Sequence, residues 1–132
     1  MSGLVSRYTT SAASWAVRAY MATWYYDNKL WIGGGEVTGT TKNDVWYSED
    51  GGKNWTQATA AAFSTGLSFA GFTVYGNKMW MVNGFDGTNP TDNVYNSTDG
   101  ATWVTVTATG PWQASQAGAL VEVLQNSAVV AW

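Results

Sequence analysis

Short apolar runs, each cut off by a cluster of Gly, Asn and Asp, set the pattern of this chain. Residues 21–26 form one run, Asp27-Asn28-Lys29 a tight turn, and Leu30-Trp31-Ile32 the next run. Gly33-Gly34-Gly35 closes it, and a polar stretch leads to Asn43. Val45-Trp46-Tyr47, the turn Asp50-Gly51-Gly52 and then Trp55-Thr56-Gln57 follow. Runs rich in β-branched and aromatic residues with this punctuation predict four strands per unit. No window of helical length keeps an apolar stripe, although the run 58–62 superficially imitates one. Leu30-Trp31-Ile32 and Met79-Trp80-Met81-Val82 are apolar on both faces, the mark of strands covered on both sides.

The pattern recurs. Asn28-Lys29-Leu30-Trp31 returns as Asn77-Lys78-Met79-Trp80, and Val45-Trp46-Tyr47-Ser48 returns as Val94-Tyr95-Asn96-Ser97, each 49 residues on. Trp15, Phe63 and Trp112 mark one phase, and a third unit begins at Gly118. A period of this length means propeller blades or helical arrays, and the strand pattern selects blades. The expectation is an all-β chain built of β-propeller blades of four antiparallel strands. The single domain divides into an N-terminal blade-completing strand in 1–14, blades at 15–62 and 63–111, and a half blade at 112–132. Propellers close with about 4 to 8 blades. Two full blades and a partial one therefore predict a ring closed by oligomerisation, with six blades from a homodimer. In that arrangement the half blade is completed by residues 4–10 of the next chain, which also protects its open edge.

Ser48-Glu49-Asp50-Gly51-Gly52-Lys53-Asn54-Trp55 resembles the Asp-box of bacterial neuraminidase repeats, with Asn54 where Thr is usual. Ser97-Thr98-Asp99-Gly100-Ala101-Thr102-Trp103 is similar and one residue shorter. The Gly33-Gly34 doublet and the downstream Asn43-Asp44-Val45-Trp46 resemble kelch repeats, and the second unit departs with Asn83-Gly84. The resemblance implies a propeller and leaves function open, because one fold hosts unrelated activities. Elementary chemistry assigns the boxes a structural role. The Gly after each Asp, Gly51 and Gly100, supplies left-handed backbone, Gly52 completes the first box, Asp50 and Asp99 accept amides inside the turn, Ser48 and Ser97 bond backbone, and Trp55 and Trp103 pack beneath. The sequons at Asn54 and Asn96 fall inside these turns and read as part of them.

Charged residues make up 11% of the 132 and hydrophobic ones 45%, with nine Trp, a composition for a packed β domain rather than a disordered chain. A net charge of −3 argues against nucleic acid and acidic membrane surfaces as partners. Cysteine is absent, so no disulfide frame or thiolate chemistry is available. Residues 1–7 lack a signal-peptide profile and no run is long enough for a membrane span, so a soluble chain is expected.

With no His and no Cys, a His-based triad, a thiol nucleophile and the usual zinc site are excluded. Gly33-Gly34-Gly35 is a strand end, since no helix with Lys and Ser or Thr follows it. No metal and no cofactor are expected. A sialidase-like site needs three arginines, and only Arg7 and Arg18 are present. Other glycosidases need two carboxylates flanking the bond, and here Glu36 and Asp86, between the second and third strands, are the only loose candidates. Arg18 breaks the repeat, since Leu67 and Gln116 occupy its phase in the other units. It either binds carbonyls where blades meet or faces a ligand.

One face of a propeller gathers the loops between strands four and one and between strands two and three. Those loops carry Trp15, Phe63, Trp112, Glu36, Phe85, Asp86 and Asn89. Aromatics with amide and carboxylate neighbours suit a sugar or a peptide edge, although the aromatic trio also reads as an anchor between blades. Three readings follow: a non-catalytic oligomeric binding module for a carbohydrate or peptide-like ligand, an orphan scaffold of metagenomic or engineered origin whose main property is self-assembly, and a sialidase-like hydrolase fragment.

Overall fold

Two hairpin turns with Asn in second place, Asp27-Asn28 and Gly76-Asn77, organise the strands around them. All four residues have left-handed backbone, with φ of 52°, 57°, 59° and 58°, as two-residue hairpins of type I′ require. The computed structural model describes residues 13–107, 120–124 and 127–131. In chain order its strands are β1 (Ala22–Tyr26), β2 (Lys29–Gly33), β3 (Glu36–Val37), β4 (Thr40–Thr41), β5 (Val45–Ser48) and β6 (Thr56–Thr59). They continue with β7 (Gly71–Tyr75), β8 (Lys78–Phe85), β9 (Pro90–Ser97), β10 (Val104–Thr107), β11 (Leu120–Leu124) and β12 (Ser127–Ala131). No helix occurs among the described residues.

The protein is all-β. β1-β2-β5-β6 form one four-stranded sheet and β7-β8-β9-β10 a second, with every neighbouring pair antiparallel. β11 pairs with β12. The two large sheets repeat each other in register: Tyr25 faces Leu30 and Thr23 faces Ile32 in the first, while Val74 faces Met79 and Phe72 faces Met81 in the second. The strand expected within 4–10, together with Trp112 and Gly118, lies outside the described residues.

One pairing had no counterpart in the sequence reading. β3 and β4 form a small hairpin where a polar loop is expected, turning at Thr38 and Gly39 with φ of 50° and 80°. The second unit solves the same connection differently. β8 and β9 run on to pair Phe85 with Pro90, after a register shift between Val82 and Gly84. Asn83 and Gly84 at that shift have φ of 62° and 125°, the backbone of a bulge.

The core lies between the two sheets. β1 alternates, burying Ala22, Trp24 and Tyr26 and exposing Thr23 and Tyr25, so period 2 sets which side faces inward. The buried row meets Met79, Met81 and Tyr95 of the second sheet, joined by Val45, Phe63 and Leu67. Each large apolar side chain so covered contributes about 1.5–3 kcal/mol. The polar ends of Trp24 and Tyr26 are paired across this interface. The Trp24 indole donates to the Trp80 carbonyl at 2.9 Å. The Tyr26 hydroxyl stands 2.8 Å from the Asn77 carbonyl and 2.9 Å from that of Thr98.

Candidate functional site at the loop end

Four segments before and after the strands meet at one end of the sheets. Ala19 and Glu36 exchange backbone hydrogen bonds of 3.0 and 2.8 Å, and Ser68 and Phe85, 49 positions on, repeat the exchange at 3.0 and 2.8 Å. Gly35 donates to Leu67, and Leu67 to Lys42. The first unit is thereby stitched to the second across the loop end. Asn43 clamps the chain entering the second unit, its side chain donating to the Phe63 carbonyl and accepting the Phe63 amide.

Within this belt lie two aromatic residues that the sequence reading did not single out. Tyr20 and Phe69 occupy the same phase, each just before the first strand of its sheet. Both have left-handed backbone, φ 58° and 59°, which a bulky L-residue adopts only at a cost of order 1–3 kcal/mol. Their rings stack at 4.0 Å with an interplanar angle of 22°, and the Phe69 amide donates to the Tyr20 carbonyl at 3.1 Å. Tyr20 keeps 56% of its surface exposed. The shared phase of two aromatics was a readable signal; the paired strain and the stack were not, because they depend on how the two units approach.

The expected site residues fall into different settings. Arg18 is 1% exposed at its side chain and forms a two-pronged pair with Asp44, at 2.6 and 3.0 Å. Its guanidinium also donates to the carbonyls of Gly34 and Ala16. Burial pushes the Asp44 carboxyl up, but hydrogen bonds from Arg18 and the Trp46 indole, with the Arg18 charge, hold it below the usual range. Trp15 lies edge-on to Trp55 at 5.6 Å, with Arg18 over its ring at 5.8 Å. Phe63 is buried between Tyr95 and Trp103, at 5.2 Å from each.

Glu36 and Phe85 are half-buried and stand opposite Ala19 and Ser68, one residue from the stacked pair. Asp86 closes the β8–β9 turn, its carboxylate accepting the amides of Asn89 at 2.7 Å and Thr88 at 2.8 Å. Those amides hold its pKa down. The structure therefore brings Arg18, Glu36 and Phe85 to the belt beside Tyr20 and Phe69, keeps Phe63 in the core, and occupies Asp86 with its own turn. Trp112 lies outside the described residues.

The opposite end holds the Ser-x-Asp turns. Ser48 Oγ donates to Asp50 and accepts the Gly52 amide at 2.8 Å, while Ser97 Oγ accepts the Gly100 amide at 2.8 Å. The Asn54 amide and side chain, with Ser48, lower the Asp50 carboxyl to about 2. The Asp99 carboxyl is lowered chiefly by the Thr102 amide. The Trp55 and Trp103 indoles donate to the carbonyls of Gly52 and Gly100. A groove of about 510 Å³ opens between the sheets at this end, lined by Asp27, Lys29, Tyr47, Glu49 and Asp99 among others. No family model matches this chain, and no curated protein does.

Proposed function

We propose that the chain is a partial β-propeller and a non-catalytic binding module, whose loop end takes a carbohydrate or peptide-like ligand and whose ring is closed by a second copy. The observation that carries the binding reading is the Tyr20–Phe69 stack, an exposed aromatic surface held in strained backbone in both units. Strain that persists at equivalent positions needs a compensating use, and strained residues cluster at ligand sites. The stacked rings lie one residue from the backbone pairing of Ala19 with Glu36, so an apolar surface and a carboxylate-bearing segment share one end, the combination that recognises a sugar by apolar contact and hydrogen bonding together. Arg18 is engaged by Asp44 and Gly34, which supports positioning of the loops over holding of a substrate carboxylate. The blade reading is supported by the two equivalent sheets and by the row of first strands, β7 lying between β1 and β11.

A glycan array, followed by tryptophan-fluorescence titration of its hits, tests the binding reading. The wild type is expected to bind oligosaccharides without turning over sialosides or aryl glycosides. Tyr20→Gly is expected to abolish binding with melting temperature unchanged or raised, since glycine accepts φ near 58° freely. A blank array, or binding indifferent to Tyr20→Gly and Phe69→Gly, overturns the reading.

A further inference from the structure

The two large sheets present the same face in opposite circumstances. Thr23, Tyr25, Leu30 and Ile32 of the first correspond, 49 residues on and in the same register, to Phe72, Val74, Met79 and Met81 of the second. In the second sheet that face lies against the first: Met79 and Met81 are 0% and 1% exposed, and Phe72 and Val74 pack on the core. In the first sheet no described sheet covers it. Thr23 is exposed, Tyr25 is 67% exposed and Leu30 39%, while Ile32 at the inner edge of the face is buried. They flank a groove of about 330 Å³ shared with Thr23, Ile32 and Trp55, and none of the residues lining it is charged.

What covers this face in the second sheet is a preceding sheet of the same repeat. The strand order β1, β7, β11 continues that stacking to the β11–β12 hairpin. The next first strand in such a series must offer an uncovered face of the Tyr25–Leu30 kind, and among the described residues the β1 sheet is the one that offers it. We propose that the outer face of the β1–β2–β5–β6 sheet is the docking surface for the β11–β12 end of a second copy of this chain. Each copy then covers the other, a two-fold contact that closes on itself. The inference rests on the partial-propeller reading and adds the surface through which the copies meet. It is a different contact from the pairing of residues 4–10 with the half blade.

Sedimentation velocity and light scattering on the full chain test it. The wild type is expected as a dimer. The double variant Tyr25→Glu/Leu30→Glu places carboxylates on the contact, where they would be buried unpaired, and is expected to halve the mass to that of a folded monomer. Near-UV circular dichroism from the Trp24 core reports the fold, and Leu30→Thr is the milder variant should the double one unfold, expected to weaken the dimer at unchanged fold. Val17→Glu, at an exposed loop position that does not line the groove, is expected to remain dimeric. A dimer that survives both the Tyr25/Leu30 and the Leu30→Thr substitutions overturns this docking surface and leaves the assembly reading standing. A wild-type monomer overturns both.

Discussion

The ring of Trp31 occupies the space into which any side chain on residue 100 would have to grow. A Cβ on Gly100 would overlap the indole outright, and Gly100 has φ 76°. The Trp31 indole donates to the Tyr26 carbonyl at 2.9 Å, and Trp80 repeats that bond to Tyr75 at 2.8 Å. A side chain of the first sheet thus seats on the Ser-x-Asp turn of the second. The corresponding turn of the first sheet differs: Gly51, with φ 75°, has no atom within 4 Å of its would-be Cβ.

Gly100→Ala and Gly51→Ala should therefore separate packing from backbone strain. Both put alanine in left-handed backbone, at about 1–2 kcal/mol. Only Gly100→Ala also overpacks the interface, adding about 1–3 kcal/mol. Urea unfolding should show Gly100→Ala as the more destabilised of the two; equal losses would place Trp31 elsewhere in solution.

Arg18 and Asp44 form a pair that the second unit replaces with Leu67 and Asn93. Asp44→Asn should cost about 3–5 kcal/mol, because it strands a buried guanidinium. The double substitution Arg18→Leu/Asp44→Asn imports the second unit's own combination and should recover most of that loss. A double-mutant cycle from thermal unfolding checks it, and simple additivity would contradict a coupled pair.

Acid should unfold the protein through its aspartates. Asp44, Asp50, Asp86 and Asp99 all have carboxyls held below their ordinary value. The unfolded chain therefore binds more protons in the acid range, and stability falls as pH falls. Their contribution is complete above the ordinary carboxylate value near 3.8 and is lost toward the value of about 2 at Asp50. With no His in the chain, the melting temperature should stay level from neutral pH to about 5 and drop steeply below about 4. Asp50→Asn should flatten part of that drop; an unchanged slope would mean the turn carboxylate is not engaged.

The strands and turns were legible in the sequence because their causes are local. Asn28 and Asn77 accept left-handed backbone, and Gly51 and Gly100 follow Asp. The 49-residue repeat likewise announced two equivalent sheets. Less local features escaped. The β3–β4 hairpin hides in Glu36-Val37-Thr38-Gly39-Thr40-Thr41, too short for any periodicity to register. Arg18 stood out as a break in phase, but its partner lies 26 residues away and is chosen by where two loops meet. Phe63 and Tyr20 are both aromatic residues near strand entrances. Only packing of one sheet on the other sends Phe63 into the core and leaves Tyr20 exposed on Phe69. Sequence alone determined the strand pattern, the turn chemistry and the repeat, because each depends on neighbours along the chain. Tertiary structure decided which repeated positions are covered and which are open, because burial depends on the sheet that lies opposite.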